Sequence, residues 1–164
     1  MSNLNNATSM SMIVTKGTLD WAYPPFILAT TAAAMGLEVS MFFTFYGLGL
    51  LRKDLNLKIT PIGNPAMEMP MMGTHIAMPN LLAALPGASA LAPGMMKNMI
   101  KQKGVASIEE LRALAIEADV KMIACQMTMD LFEYKLADMI EGPDLGGAAT
   151  FIEMASKSDI NLYI

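Results

Sequence analysis

The chain has little of what usually carries chemistry. Its 164 residues include one cysteine, one histidine and one tryptophan. A single cysteine cannot close an intramolecular disulfide, and no zinc-type Cys/His spacing can be written. Charged residues make up only 16%, and acidic ones prevail, with a net charge of -4 and a pI near 4.9. That balance excludes an electrostatic grip on nucleic acid. The basic residues that cluster, Lys97, Lys101 and Lys103, are spaced as on a solvated helix face. Neither a G-x-G-x-x-G fingerprint nor a Walker loop occurs, so no nucleotide cofactor is expected. Met1 to Met10 lacks the basic and apolar regions of a signal peptide, which makes a reducing cytoplasm the expected compartment.

What is abundant is apolar surface: 54% hydrophobic residues and a mean hydropathy of +0.41. At this length one domain with a sizeable core is expected, with apolar surface left over for a second subunit or a membrane. Ile76 to Met96 carries no charge and is long enough in principle to cross a bilayer. It is broken, however, by Pro79, Pro86, Gly87, Pro93 and Gly94, it carries Asn80, and it lacks aromatic and basic flanks. The favoured reading is a protein with a large hydrophobic interface; membrane contact is the alternative.

Strand-like and helix-like segments alternate. Met10 to Thr15 reads as a strand, followed by the tight loop Lys16-Gly17-Thr18. A helix begins between Thr18 and Pro24 and ends at Gly36. Leu37 to Phe45 reads as a second strand, ending at Tyr46-Gly47, and Leu48 to Leu55 as a short helix. From Thr60 to Gly94 the texture turns to proline, glycine and methionine with no sustained period, an apolar insert. Helices are expected over Met95 to Lys103 and Ser107 to Ala118, the latter opened by the capping box Ser107/Glu110. Then come a strand over Val120 to Ala124, a helix over Thr128 to Met139 and a loop over Gly142 to Gly147. A helix over Ala148 to Ser156 and a strand over Ile160 to Ile164 close the chain. This alternation predicts a three-layer α/β fold: a mostly parallel sheet with helices on both faces, in one domain over residues 1–164.

In parallel sheets ligands bind at the carboxyl ends of the strands, and three loops fall there: Lys16-Gly17, Tyr46-Gly47 and Cys125. Cys125 ends an apolar strand and a helix-like stretch follows at once, which predicts an exposed, activated thiol facing unpaired amides and a helix dipole. The alternative is that Cys125 acts as a small buried hydrophobe.

The segments Lys16-Gly17-Thr18-Leu19-Asp20-Trp21-Ala22-Tyr23-Pro24-Pro25 and Ala29 to Gly36 resemble the opening of the DsrE/F-like family. So do Phe42-Phe43-Thr44-Phe45-Tyr46-Gly47, the insert around Met78-Pro79-Asn80-Leu81, and Ala124-Cys125-Gln126-Met127-Thr128-Met129-Asp130. The resemblance covers nearly the whole chain and is closest to the single-domain subgroup. It implies a parallel α/β fold, trimeric or hexameric homo-oligomers, and cytoplasmic sulfur trafficking. There a cysteine carries a persulfide between partners such as TusA-like and rhodanese-like proteins. The carrier position maps onto Cys125. Many members carry a second cysteine; this chain does not, which removes any intramolecular disulfide release.

Around that thiolate, Lys16 is a candidate positive charge and Tyr46 a candidate hydroxyl donor; each also reads as an ordinary exposed lysine or a core-edge tyrosine. His75, with a reference pKa near neutrality, is a candidate proton donor or acceptor within the insert. Asp130 favours the helix end but opposes a thiolate, and is read as structural. The 18 methionines invite a soft-metal reading, but flexible packing in core and interface is preferred, so no metal site is expected. Three functions follow: a persulfide carrier through Cys125, a binding or scaffold module with an inert cysteine, and a thiol peroxidase. The last is the weakest, since no resolving cysteine exists.

Overall fold

The computed structural model describes residues 7–59, 68–71, 74–77 and 88–164, with side chains described for 7–59 and 93–164. In chain order the elements are β1 (Ser9–Val14), α1 (Leu19–Ala34), β2 (Glu38–Phe43), a 3-10 segment (Phe45–Leu51), β3 (Glu68–Met71), β4 (Thr74–Ala77), α2 (Ala88–Gln102) and α3 (Ile108–Glu117). They continue with β5 (Lys121–Cys125), α4 (Gln126–Leu131), a 3-10 turn (Leu136–Asp138), β6 (Asp144–Gly146), α5 (Ala148–Ala155) and β7 (Ile160–Tyr163). These fall into two compact units, one drawn from Met1–Gly17, Trp21–Leu55 and Ile108–Ile164, the other from Thr18–Asp20 and Asn56–Ser107.

The first unit holds a five-stranded, all-parallel sheet in the order β6-β5-β2-β1-β7. Its central strands are buried along most of their length, as parallel strands covered on both sides must be. Register separates the two faces. Met12, Met41 and Met122 align across β1, β2 and β5, as do Val14, Phe43 and Ala124. Phe26 of α1 packs on this face, its ring 6.0 Å from Phe43, and both are fully buried. Helix α3 buries Ile108, Leu111, Arg112 and Ala115, one face at helical spacing. Its Glu109 and Glu110 reach the field of Tyr23 on α1, whose phenol is pushed up first by burial and then by these carboxylates. On the other face Ile13, Phe42, Ile123 and Cys125 lie under Phe151 and Met154 of α5, with Phe42 and Phe151 rings 5.5 Å apart. The chain steps outward through β1, β2, β5 and β6, then returns through α5 to place β7 beyond β1. That return sends α5 to the opposite face. The expected α/β architecture is present.

Four helices end in the same way. After α1, α2, α3 and α4 the chain turns through a positive φ at Gly36, Gly104, Asp119 and Glu133 respectively. The following amide reaches back five residues in each case: Leu37 to the Ala32 carbonyl, Val105 to Ile100, Val120 to Ala115 and Tyr134 to Met129. These are Schellman closures, which glycine favours because it lacks a Cβ. Glu133 explains one departure from expectation. The helix expected over Thr128 to Met139 stops at Leu131, because Glu133 adopts the left-handed conformation that composition assigns to glycine.

Other departures have equally local causes. Leu48 to Leu55 is not a helix of its own; a 3-10 segment occupies Phe45–Leu51, where two glycines weaken an α-helix and Leu48, Leu50 and Leu51 are all fully buried. The expected loop over Gly142 to Gly147 contains the short edge strand β6, paired with Ile123, Ala124 and Cys125. Helix α1 begins at Leu19, so Pro24 and Pro25 lie beyond its first turn. The insert contains an antiparallel hairpin, β3 with β4, and α2 starts at Ala88. Much of Ile76 to Met96 lies outside the described residues; among those described, no helix is long and apolar enough to cross a membrane.

The start of β1 is clipped to the start of β7 by Asp159. Its Oδ2 accepts the Thr8 amide at 2.8 Å, the Ser9 amide at 3.1 Å and both hydroxyls at 3.1 Å. The Thr8 amide, then the Ser9 and Thr8 hydroxyls, hold this carboxyl below its ordinary value. A depressed carboxyl contributes stability above its unfolded pKa and loses it as pH falls through the folded one. Asp159→Asn should therefore lower stability near neutral pH, with the gap from wild type closing in acid. Urea unfolding at several pH values reads this; a gap independent of pH would contradict it.

Candidate functional site

The carboxyl ends of β1, β2 and β5 lie side by side, and their loops interlock. The Gly47 amide donates to the Thr15 carbonyl at 3.0 Å, and the Thr44 amide to the Val14 carbonyl at 3.0 Å. A Cβ on Gly17 would stand 2.1 Å from the Tyr46 carbonyl oxygen, and one on Gly47 would stand 2.2 Å from that of Val14. Only glycine allows this approach. Arg112 holds the same segment from below, its Nη1 donating to the Leu50 carbonyl at 2.9 Å and to the Arg52 carbonyl at 2.7 Å.

Cys125 is the last residue of β5 and the N-cap of α4. The β2–β5 register ends at Phe43 opposite Ala124, so the next residue on β2, Thr44, comes beside Cys125. On its other side Cys125 is paired with Gly146 of β6. The Thr44 and Thr128 hydroxyls are 3.1 Å apart. Thr128 is fully buried, and its Oγ1 also accepts the Phe45 amide at 3.2 Å. Phe45 takes φ 47 to aim that amide, a conformation that costs a non-glycine residue about 1 kcal/mol or more.

These groups govern the thiol. Burial pushes the Cys125 thiol up, but the Thr128 and Thr44 hydroxyls and the Thr128 and Met127 amides outweigh it, so the thiol lies below its ordinary value. The sulfur closes no cap bond of normal geometry. The donors act as oriented dipoles that favour the thiolate. Helix α4 has six residues, so these nearby groups do what the sequence reading assigned to a helix dipole.

The expectation of an exposed thiol is corrected: Cys125 is only 3% exposed. Its side chain shares the face of Ile123, where Phe151 and Met154 of α5 close over the strand end. Among the other sequence candidates, Lys16 is exposed and its Nζ sits 3.1 Å from the centre of the Trp21 ring, a cation–π contact. Tyr46 is 72% exposed and stacks on Phe132, with ring centroids 5.7 Å apart. Phe132 in turn meets Phe45 and Tyr134, so Tyr46 belongs to an aromatic surface row. His75 lies on β4, opposite Pro70, in the second unit; its side chain is outside the described residues. Asp130 is exposed. Among the described residues no three His, Cys, Asp or Glu side chains gather as metal ligands would.

Thr44 and Thr128 were not singled out by the sequence reading. Thr128 did offer a signal: a hydroxyl three residues after the strand-ending cysteine stands in the first turn of the following helix. Thr44 offered none without the register.

Residues 6–163 match the model of the DsrE/DsrF/DrsH-like family. The chain belongs to this family. A family relative from Allochromatium vinosum, named sulfur carrier protein DsrE2, is 61% identical over 155 residues, covering 94% of this chain and 97% of its own. The uncharacterized protein YrkE of Bacillus subtilis is 29% identical, covering 94% of this chain and 95% of its own. Among solved structures, the ychN protein from E. coli superposes with a TM-score of 0.53 over 96% of this chain and 99% of its own, at 8% identity. That likeness places the DsrE-like chain in the same fold.

A depressed thiol pKa in a closed site has a two-part signature. Alkylation of Cys125 should follow a titration curve centred below that of an ordinary thiol. A small reagent should outpace a bulky maleimide by about tenfold or more, since access limits the rate. The stability difference between wild type and Cys125→Ala should grow as pH rises through the folded pKa and level off above the unfolded one. A midpoint at or above that of a free thiol would contradict the account.

Proposed function

We propose that this protein carries sulfane sulfur as a persulfide on Cys125. The observation that carries the reading is the donor set around the sulfur: two hydroxyls and two amides favour an anion at the only cysteine in the chain. Family membership and the 61% identical sulfur carrier support a role in sulfur trafficking. In the proposed cycle the Cys125 thiolate attacks the outer sulfur of a persulfide or polysulfide donor, R–S–S⁻. One S–S bond breaks as another forms, giving Cys125–S–S⁻ and R–S⁻. An acceptor thiolate then attacks the outer sulfur and restores the Cys125 thiolate. No external oxidant or reductant enters either step.

A partner must reach a covered sulfur. Helix α5, which supplies Phe151 and Met154, has no buried residue of its own, and displacing it uncovers Cys125 together with Phe42 and Ile123. The acceptor is a thiol protein of the TusA-like or rhodanese-like kind, working in a reducing compartment. The protein acts as a homo-oligomer of three or six chains. In support, Trp21 and Leu28 on α1 and Met35 in the turn that follows it are exposed seven residues apart, an apolar stripe suited to another subunit.

The burial of Cys125 favours a second reading, in which the cysteine is inert and the protein is a binding or scaffold module. Intact mass separates the two. Wild type treated with polysulfide should gain one or more sulfur atoms, lost again on reduction, and Cys125→Ala should gain none. A wild-type protein that stays unmodified while a control thiol reacts would leave the scaffold reading.

A further inference from the structure

We propose that Thr44 and Thr128 divide the two sulfurs of the carrier between them, Thr128 holding the Cys125 sulfur and Thr44 holding the sulfane sulfur attached to it. This rests on the persulfide reading above and assigns the residues that position its charge.

A hydroxyl has one proton to donate and two lone pairs to accept with. The Phe45 amide occupies one lone pair of Thr128 Oγ1, at 3.2 Å. The Thr128 proton must therefore point away from Phe45, toward Thr44 Oγ1 at 3.1 Å or toward the Cys125 sulfur. With a neutral thiol, the Thr128 proton rests on Thr44. When the thiol ionises, the Thr128 proton turns to the sulfur, and the Thr44 hydroxyl fills the lone pair left open on Thr128. The same two protons serve both states, and the Phe45 amide keeps one lone pair of Thr128 Oγ1 occupied in each.

Loading moves the charge. In Cys125–S–S⁻ the negative end is the outer sulfur, one S–S bond or about 2 Å from its former place. Thr128 cannot follow. It is fully buried in the first turn of α4 and tied to the Phe45 amide. Thr44 can. It is half-buried, stands at the open end of β2, and its hydroxyl is released as soon as Thr128 no longer needs it. Attack by the acceptor returns the electron pair to the Cys125 sulfur, where Thr128 receives it.

The test separates the two hydroxyls by two readouts. Thr128→Val should raise the midpoint of Cys125 alkylation by about one pH unit, the worth of one hydrogen bond to a charged group. Thr128→Ala serves the same purpose if valine disturbs folding. Thr44→Val should raise that midpoint by less than Thr128→Val does, yet lower the loading equilibrium of Cys125 against a small-molecule persulfide about tenfold, where Thr128→Val lowers it less. Thr44→Ser and Thr128→Ser should restore wild-type values. If both variants shift both readouts alike, or neither shifts either, the division of roles is overturned. If wild type takes up no sulfane sulfur, the carrier reading falls and the Thr44 assignment with it. A Thr128-dependent midpoint identifies that outcome, because it shows the hydroxyl pair intact.

Discussion

The pairing of β2 with β5 is the constraint on which the site depends. In a parallel ladder the register is fixed along the whole strand, so alignment of Met41 with Met122 in the core also determines what meets at the strand ends. One residue past the last pair, Thr44 comes beside Cys125. A slip of one residue would either turn Phe43 out of its contact with Phe26, if β2 moved, or put Cys125 on the α1 face, if β5 did. Core packing and site geometry are one requirement, and each fully buried large side chain contributes about 1.5–3 kcal/mol to holding it.

Two opposed effects meet at the sulfur. Removal from water favours the neutral thiol, and the surrounding donors favour the thiolate; here the donors prevail. Those donors come from both sides of the β2–β5 pair: Thr44 from the end of β2, and Met127 and Thr128 from α4. The glycines at 17 and 47 allow the β1 and β2 loops to close against each other, and Arg112 fixes the carbonyls at the far end of the 3-10 segment. A buried cationic side chain satisfied by carbonyls is a costly way to hold a loop. It positions the segment that begins with Thr44 and Phe45.

Much of this was legible in the sequence. Apolar runs bounded by turn residues located β1, β2, β5 and β7, and Gly36 marked the end of α1. Their alternation with helices gave the parallel sheet, and the strand-to-helix junction singled out Cys125. What was not legible has physical causes. Asp119 and Glu133 occupy left-handed positions usually left to glycine, so the true end of α4 was invisible. The edge strand β6 has three residues, one of them glycine, too few to show a period. The cover over Cys125 comes from Phe151 and Met154, distant in sequence, so its burial could not be read from its neighbours. Thr44 was read as the tail of a strand because its partner, Thr128, lies 84 residues away.

The most direct measurement of the central claim is a single-turnover transfer of labelled sulfur. Protein loaded with one labelled sulfane sulfur and freed of donor is mixed with a thiol acceptor, and both products are read by mass. The account predicts that the label leaves as the acceptor persulfide and that Cys125 returns to the free thiol. Label retained on the protein, or released only as sulfide with the acceptor left unlabelled, would contradict it.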